Sequence, residues 1–361
     1  MPGWAGIVAV AASTLVVTVF GYRVVHAYER FAWIPCLVVF LVVLGLFARS
    51  GHFDARARIM APTPTPSPQS DPDPSYTAAA VLSFAASVFG FATGWCSLAA
   101  DYTVYVPAST GRGRVFAWTM AGLLFPLWLT ELLGAAVATA LAGPEPGYRA
   151  AYDEARVGGL LAHVLVPATG RFGQFCLVVL ALSIVAGNCP NCYSVSLSLE
   201  AAFGTGAAAT TTATTTTPRR WLPRVPRFVW VVLATAAYAA VAVVAYAHFE
   251  SALESFMLVV GYWLAVYEGV ALAEHTAFRR GLAGYDPDDY RDPTRLPPGL
   301  AGLAAFLLGA VGVALGMAQP WYVGPVGRAC GGGDLGFELG FACAFVSYLG
   351  FRTLEKRYFG R

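Results

Sequence analysis

The chain has 361 residues, 57% of them hydrophobic and only 12% charged, with a mean hydropathy of +0.60. A soluble domain carries about one quarter charged residues, so this chain cannot coat a water-facing surface; that excludes a soluble enzyme or binding module and implies an integral membrane protein. The net charge of +2 points to no nucleic-acid partner, and seven dispersed cysteines form neither a disulfide framework nor a zinc spacing.

The opening "MPGWAGIVAV" has no basic stretch and no cleavage site, so it is not read as a signal peptide. A bilayer core of about 30 Å needs roughly 20 apolar residues per helix. Nine windows meet that need: 5–25, 32–48, 77–100, 116–142, 172–202, 228–247, 253–276, 299–318 and 335–353. Four of the segments between them are recognisable loops. Residues 61–74 are proline-rich and extended, and 144–171 read as a longer loop carrying Tyr148, Tyr152 and His163. Residues 205–217 are a threonine-rich low-complexity run, and 285–298 an acidic, proline-rich connector.

Polar groups inside spans are costly and mark function. The third window ends in "GFATGWCSLAADYTVYVP", where Gly90 and Gly94 weaken the helix and let a neighbour or ligand approach the backbone. Trp95 offers a flat wall for a planar ligand, and Asp101 follows near the helix end. From the residues alone, ordinary helix packing for Trp95 and a solvated helix end for Asp101 is the alternative reading and the favoured one. Glu131, in "LWLTELLGAA", is an intramembrane carboxylate and a proton-relay candidate.

The fifth window contains "IVAGNCPNCYSVSLSLE". Pro190 removes a backbone donor and clashes with the Ala186 carbonyl, so the helix is expected to open or kink there. Asn188 and Asn191 flank it, and each carboxamide offers a donor and an acceptor, which suits the edge of a nucleobase or another amide-bearing heterocycle. The alternative is a kink whose asparagines bond neighbouring helices. The Cys189-x-x-Cys192 spacing resembles a redox dithiol, but such pairs normally open a helix beside water. Farther on, Glu254, Glu268, Glu274 and His275 lie on one apolar helix. Glu268 is the deepest; Glu274 and His275 are expected to pair with Arg279 and Arg280 at the interface. Five dispersed histidines make no metal site.

Lys and Arg set the orientation. If the first helix runs inward, sixteen of them fall inside and seven outside, together the 23 present. The C-terminus is then cytoplasmic and the N-terminus external.

The segments 4–35, "GFATGWCSLAADYTVYVP", "GNCPNCYSVSLSLE", "GYWLAVYEGVALAEHTAFRRG" and "LEKRYFGR" together resemble the fungal purine–cytosine permeases of the nucleobase–cation symporter family, in order from residue 4 to residue 361. That resemblance implies an all-α integral membrane transporter of the five-plus-five inverted-repeat, broken-helix class. On that pattern the first helix here corresponds to family helix four, so the chain looks N-terminally truncated, with about nine transmembrane helices in a single transporter domain. Residues 1–76 would be the remainder of the first repeat, 77–281 the second repeat and 282–361 two additional helices and a tail. The resemblance makes Trp95 the aromatic that stacks on the base, and Asn188, Pro190 and Asn191 the group that binds its polar edge.

Asp101 falls in the family's Ser-Asp-Tyr-Thr-like stretch, with Ala100 where the serine would stand. Sodium-using bacterial relatives carry hydroxyls one to two turns before the asparagine. Here Ile184, Val185, Ala186 and Gly187 occupy those places, with only Ser183 nearby, which favours a proton over sodium. The implied activity is proton symport of cytosine, adenine, guanine or hypoxanthine by alternating access, with no cofactor and no enzyme chemistry. Asp101, Glu131 and Glu268 are the proton-coupling candidates, and the plasma membrane is the expected location. Without helices one to three, this chain by itself is expected not to transport. A non-transporting membrane scaffold or permease remnant is the alternative, and a membrane redox enzyme rests only on the Cys189–Cys192 spacing.

Overall fold

The computed structural model describes residues 3–20, 22–55, 74–96, 99, 103–104, 106–202, 225–286, 289 and 296–360. Asp101, the threonine-rich run 205–217 and all but the last residue of the proline-rich segment 61–74 lie outside these residues. Each of the nine apolar windows carries helix: α1 Gly3–Val19, α2 Tyr22–Ser50, α3 Pro74–Thr93, α4 Arg112–Thr139, α6 Arg171–Ala202, α7 Arg227–Ala245, α8 Phe249–Ala273, α9 Leu300–Gly316 and, past the short helix α10 Pro325–Ala329, α11 Gly336–Phe359. Among the described residues five stretches are long and apolar enough to cross a bilayer: Arg23–Ser50, Arg112–Ala142, Arg171–Glu200, Arg227–Ala245 and Ser255–Phe278. Their outer faces carry apolar side chains, with Trp118 74% and Val244 79% exposed, as expected where lipid replaces water. The fold is an all-α membrane protein.

One expectation is corrected. Residues 144–171 are not a loop; they contain helix α5, Pro146–Thr169. Pro146 at the first turn has no amide to waste there. Tyr148, Leu160, Val164 and Leu165 form the buried stripe, while Arg149, Asp153, Glu154, Arg156 and Val157 face outward. The helix is interrupted where Ala155 and Arg156 leave helical geometry, Arg156 with φ 53°.

The chain divides into two compact units. The first, residues 1–66 and 98–246, holds α1, α2 and α4–α7. Its larger core joins Val39, Val43 and Phe47 of α2 to Leu133 and Val137 of α4, Leu160, Val164 and Leu165 of α5, and Cys176 of α6. A smaller core sets Val25 of α2 against Val185 and Cys189 of α6. His52, Glu145, Tyr148 and His163 form a polar knot in this unit: His52 Nε2 lies 2.6 Å from Glu145 Oε2, and the Tyr148 and His163 rings meet edge-on.

The second unit, residues 67–97 and 247–361, holds α3, α8–α11 and a two-residue hairpin, β1 Ala318–Gln319 against β2 Tyr322–Val323. α9 and α11 pack through small residues, as membrane helices do: a methyl group on Gly312 would stand 2.6 Å from the Leu339 carbonyl. At one end of this unit, Arg279 and Arg352 both reach Glu274, at 2.9 and 3.3 Å. Arg352 also pairs with Glu355 at 2.9 Å, and Glu355 in turn accepts the Ala301 amide in the first turn of α9. Arg280 has no part in that network among the described residues; it takes a left-handed conformation, φ 52°, where the helix ends.

Candidate functional site

The asparagine–proline group sits on α6. Contrary to expectation, Pro190 does not open that helix: it is helical without interruption from Arg171 to Ala202. Pro190 itself is buried. Proline is tolerated in a membrane helix where neighbouring helices and side chains compensate the freed carbonyl; α1, α2, α5 and α7 all pack on α6. The Asn191 carboxamide donates to the Gly187 carbonyl at 3.2 Å, one turn back.

The two asparagines have different surroundings. Asn188 is half-buried and approaches Tyr238 of α7, which also faces Thr14 of α1. Cys189 faces Thr18, and Cys192 faces Thr235. Thr14 and Thr18 are fully buried, each returning its hydroxyl to the carbonyl four residues back. Asn188 therefore belongs to the seam between α1, α6 and α7. Asn191 is exposed, on a stripe with Ile184, Gly187 and Val195 that is open along its length. With its amide nitrogen on Gly187, the Asn191 carbonyl oxygen is the acceptor left for a ligand. Cys189 and Cys192 are free thiols, both buried in the seam, which is the wrong setting for a dithiol that must meet a partner.

Trp95 belongs to the second unit. The window 77–100 is not one helix. α3 ends at Thr93, Gly94 forms a turn with its amide on the Phe91 carbonyl at 3.3 Å, and helical backbone resumes at Trp95. The interruption expected at Pro190 is thus found at Gly94. Trp95 is half-buried, directly past this break. Gly90 serves a neighbour rather than a ligand: a methyl group there would lie 2.6 Å from the Gly261 Cα, so the two glycines let α3 and α8 cross closely.

Glu268 of α8 approaches Thr93 and Cys96, the residues on either side of the Gly94–Trp95 pair. Its Oε1 is buried and accepts no hydrogen bond among the described residues. Glu131 is half-buried on α4 of the first unit. Glu274 is held by Arg279, Arg352 and Tyr348, and the His275 ring stacks on Tyr285, so both are structural ties.

The sequence reading missed Asp334, which is 1% exposed. Its carboxylate accepts from Tyr262 Oη, the Ala318 amide at 2.7 Å and the Gly336 amide at 3.0 Å, while its own amide donates to Ser83 Oγ at 2.7 Å. The glycine run preceding it, Gly331 to Gly333, was the available signal. A shallow depression of about 420 Å³ near Thr103, Pro107 and Phe116 has none of the candidate residues in its wall. Among the described residues no cluster of three or more His, Cys, Asp or Glu could hold a metal ion.

The family model for permeases for cytosine/purines, uracil, thiamine and allantoin matches residues 1–324. The chain is similar to the purine-cytosine permease fcyB of Emericella nidulans, 45% identical over 361 residues, covering all of this chain and 65% of the relative. It is also similar to the purine-cytosine permease FCY2 of Saccharomyces cerevisiae, 42% identical over 363 residues, covering all of this chain and 62% of the relative. A vitamin B6 transporter, TPN1, of the same yeast is 27% identical over 419 residues and covered to 66%. The chain thus spans less than two thirds of the length of these relatives. No solved structure matches it.

Proposed function

We propose, because the chain belongs to the family of permeases for cytosine/purines, uracil, thiamine and allantoin, that it binds a purine base or cytosine and carries it across a membrane. The observation that carries this reading is the open stripe of α6, which presents the Asn191 carboxamide beside Gly187 near the middle of a span. A base edge needs an amide-like donor and acceptor in a place that water does not flood, and an indole supplies the stacking face. In this reading Trp95 stacks on the ring, Asn191 binds its edge, and Asn188 with Pro190 holds α6 in the shape that presents Asn191.

Cytosine, adenine, guanine and hypoxanthine are the proposed cargo. A proton, rather than sodium, is the proposed coupling ion, with Asp101, Glu131 and Glu268 as its candidate carriers. The five-plus-five arrangement, with residues 1–76, 77–281 and 282–361 as its parts, supplies alternating access. The plasma membrane and a cytoplasmic C-terminus complete the proposal. The positive-inside bias of the loops supports that orientation.

The test is binding rather than uptake, since the chain spans only 62–65% of the purine–cytosine permeases it matches. The purified chain in detergent is titrated with radiolabelled cytosine and adenine. Saturable binding, competed by hypoxanthine, is expected. Asn191→Ala should weaken it about tenfold to hundredfold, the 1–3 kcal/mol scale of a carboxamide reading a base edge, with an unchanged melting temperature. A folded chain that binds no base would overturn the reading in favour of a membrane scaffold.

A further inference from the structure

We infer that Glu268 is the proton-binding group of the base site, resting on the base-binding reading above. Four observations within the second unit converge on it. Glu268 lies near the middle of the apolar stretch Ser255–Phe278. Its Oε1 is buried with no hydrogen-bond partner among the described residues. That oxygen of the carboxylate lacks a donor, and its protonation turns the bare acceptor into an O–H and removes a charge from membrane depth.

The Thr93 hydroxyl and the Cys96 thiol both approach the carboxyl, and the Thr93 hydroxyl also lies 3.3 Å from the Gly90 carbonyl. Either can donate to the ionised carboxylate; when Glu268 is protonated, the Thr93 hydroxyl can turn to the Gly90 carbonyl and accept from the acid. The Cys96 thiol is the one titratable neighbour from the α3 side, and α9 and α11 present no charged group to Glu268 among the described residues. Among the described residues no lysine or arginine neutralises it, in contrast to Glu274, which has two arginines.

Position supplies the link to the base. Thr93 and Cys96 bracket Gly94 and Trp95, the point where α3 is interrupted. A change at the Glu268 carboxyl is therefore transmitted to the backbone that carries the indole within one helical turn. The step is one proton from the outer solution onto Oε1, base bound against Trp95, and the same proton released to the inner solution. No other bond is made or broken.

The experiment is the binding titration repeated across pH. With one proton linked to one base, the affinity of the unmodified chain should fall about tenfold per pH unit on the alkaline side of the transition. Glu268→Gln, permanently neutral, should bind at the acidic-limit affinity at every pH. Glu268→Asp should keep a slope with a moved midpoint. A slope that survives in Glu268→Gln, a Glu268→Gln chain that is folded but binds weakly at all pH, or a parent with no slope would each overturn the assignment while leaving base binding intact. Absence of base binding in the folded parent would instead overturn the function itself. Should Glu268→Gln fail to fold, Thr93→Val keeps the carboxyl and removes its hydroxyl partner; the midpoint must then move, and an unmoved midpoint counts against Glu268.

Discussion

Asp334 and Glu268 are two carboxylates in the same unit with opposite surroundings. Asp334 is nearly inaccessible, and both of its oxygens are occupied by fixed donors from α8, the hairpin and the start of α11. Glu268 has one oxygen with nothing to accept among the described residues. A satisfied buried carboxylate holds elements in place, and its value is lost when any donor is orphaned. An unsatisfied one adds nothing to packing and is kept for what it can bind. The difference separates scaffold from site more sharply than depth in the membrane does.

That contrast can be broken by measurement. Asp334→Ala should have the largest effect, a loss of about 3–5 kcal/mol in denaturant unfolding of the chain in detergent, since three donors each forfeit about 1–3 kcal/mol with partial relaxation. A loss under about 1 kcal/mol would mean that the network is ornamental. Gly90→Leu should follow, costing about 1–3 kcal/mol by forcing α3 from Gly261; the same unfolding assay reads it, and Gly90→Ala should lie between. Ser83→Ala removes a single acceptor from the Asp334 amide and should cost about 1 kcal/mol. Glu268→Gln should have the smallest effect, within about 1 kcal/mol of the parent. If it destabilised the chain as much as Asp334→Ala, the two carboxylates would have the same role.

Much of the span pattern was legible because apolar length is a strong signal: all nine windows carry helix. Helix α5 was not, because its outward face holds Arg149, Asp153, Glu154 and Arg156 and dilutes the hydropathy, although the apolar stripe ending at Leu165 is regular. Pro190 misled because a rule drawn from isolated helices ignores the helices packed around α6, whose helical backbone runs on past the proline. Gly94 was noticed as a weak point, but a lone glycine does not announce a break; the local turn to the Phe91 carbonyl does. The chemistry of Asn191 was readable from its side chain, whereas its separation from Asn188 was not. Three residues rotate a helix by roughly 300°, and only the packing of α1 and α7 shows which of the two positions is covered. Asp334 escaped because its partners come from positions as far away as Ser83 and Tyr262, a closure invisible to local pattern.

The paired glycines at positions 90 and 261 have a mechanical consequence. With Gly90 pressed on α8 and Ser83 tied to Asp334, the body of α3 is anchored along one side up to the turn that precedes Trp95. Any swing of the indole is then pivoted at Gly94, a short lever on a clamped shaft, so the ring can tilt while the helix behind it stays where it is.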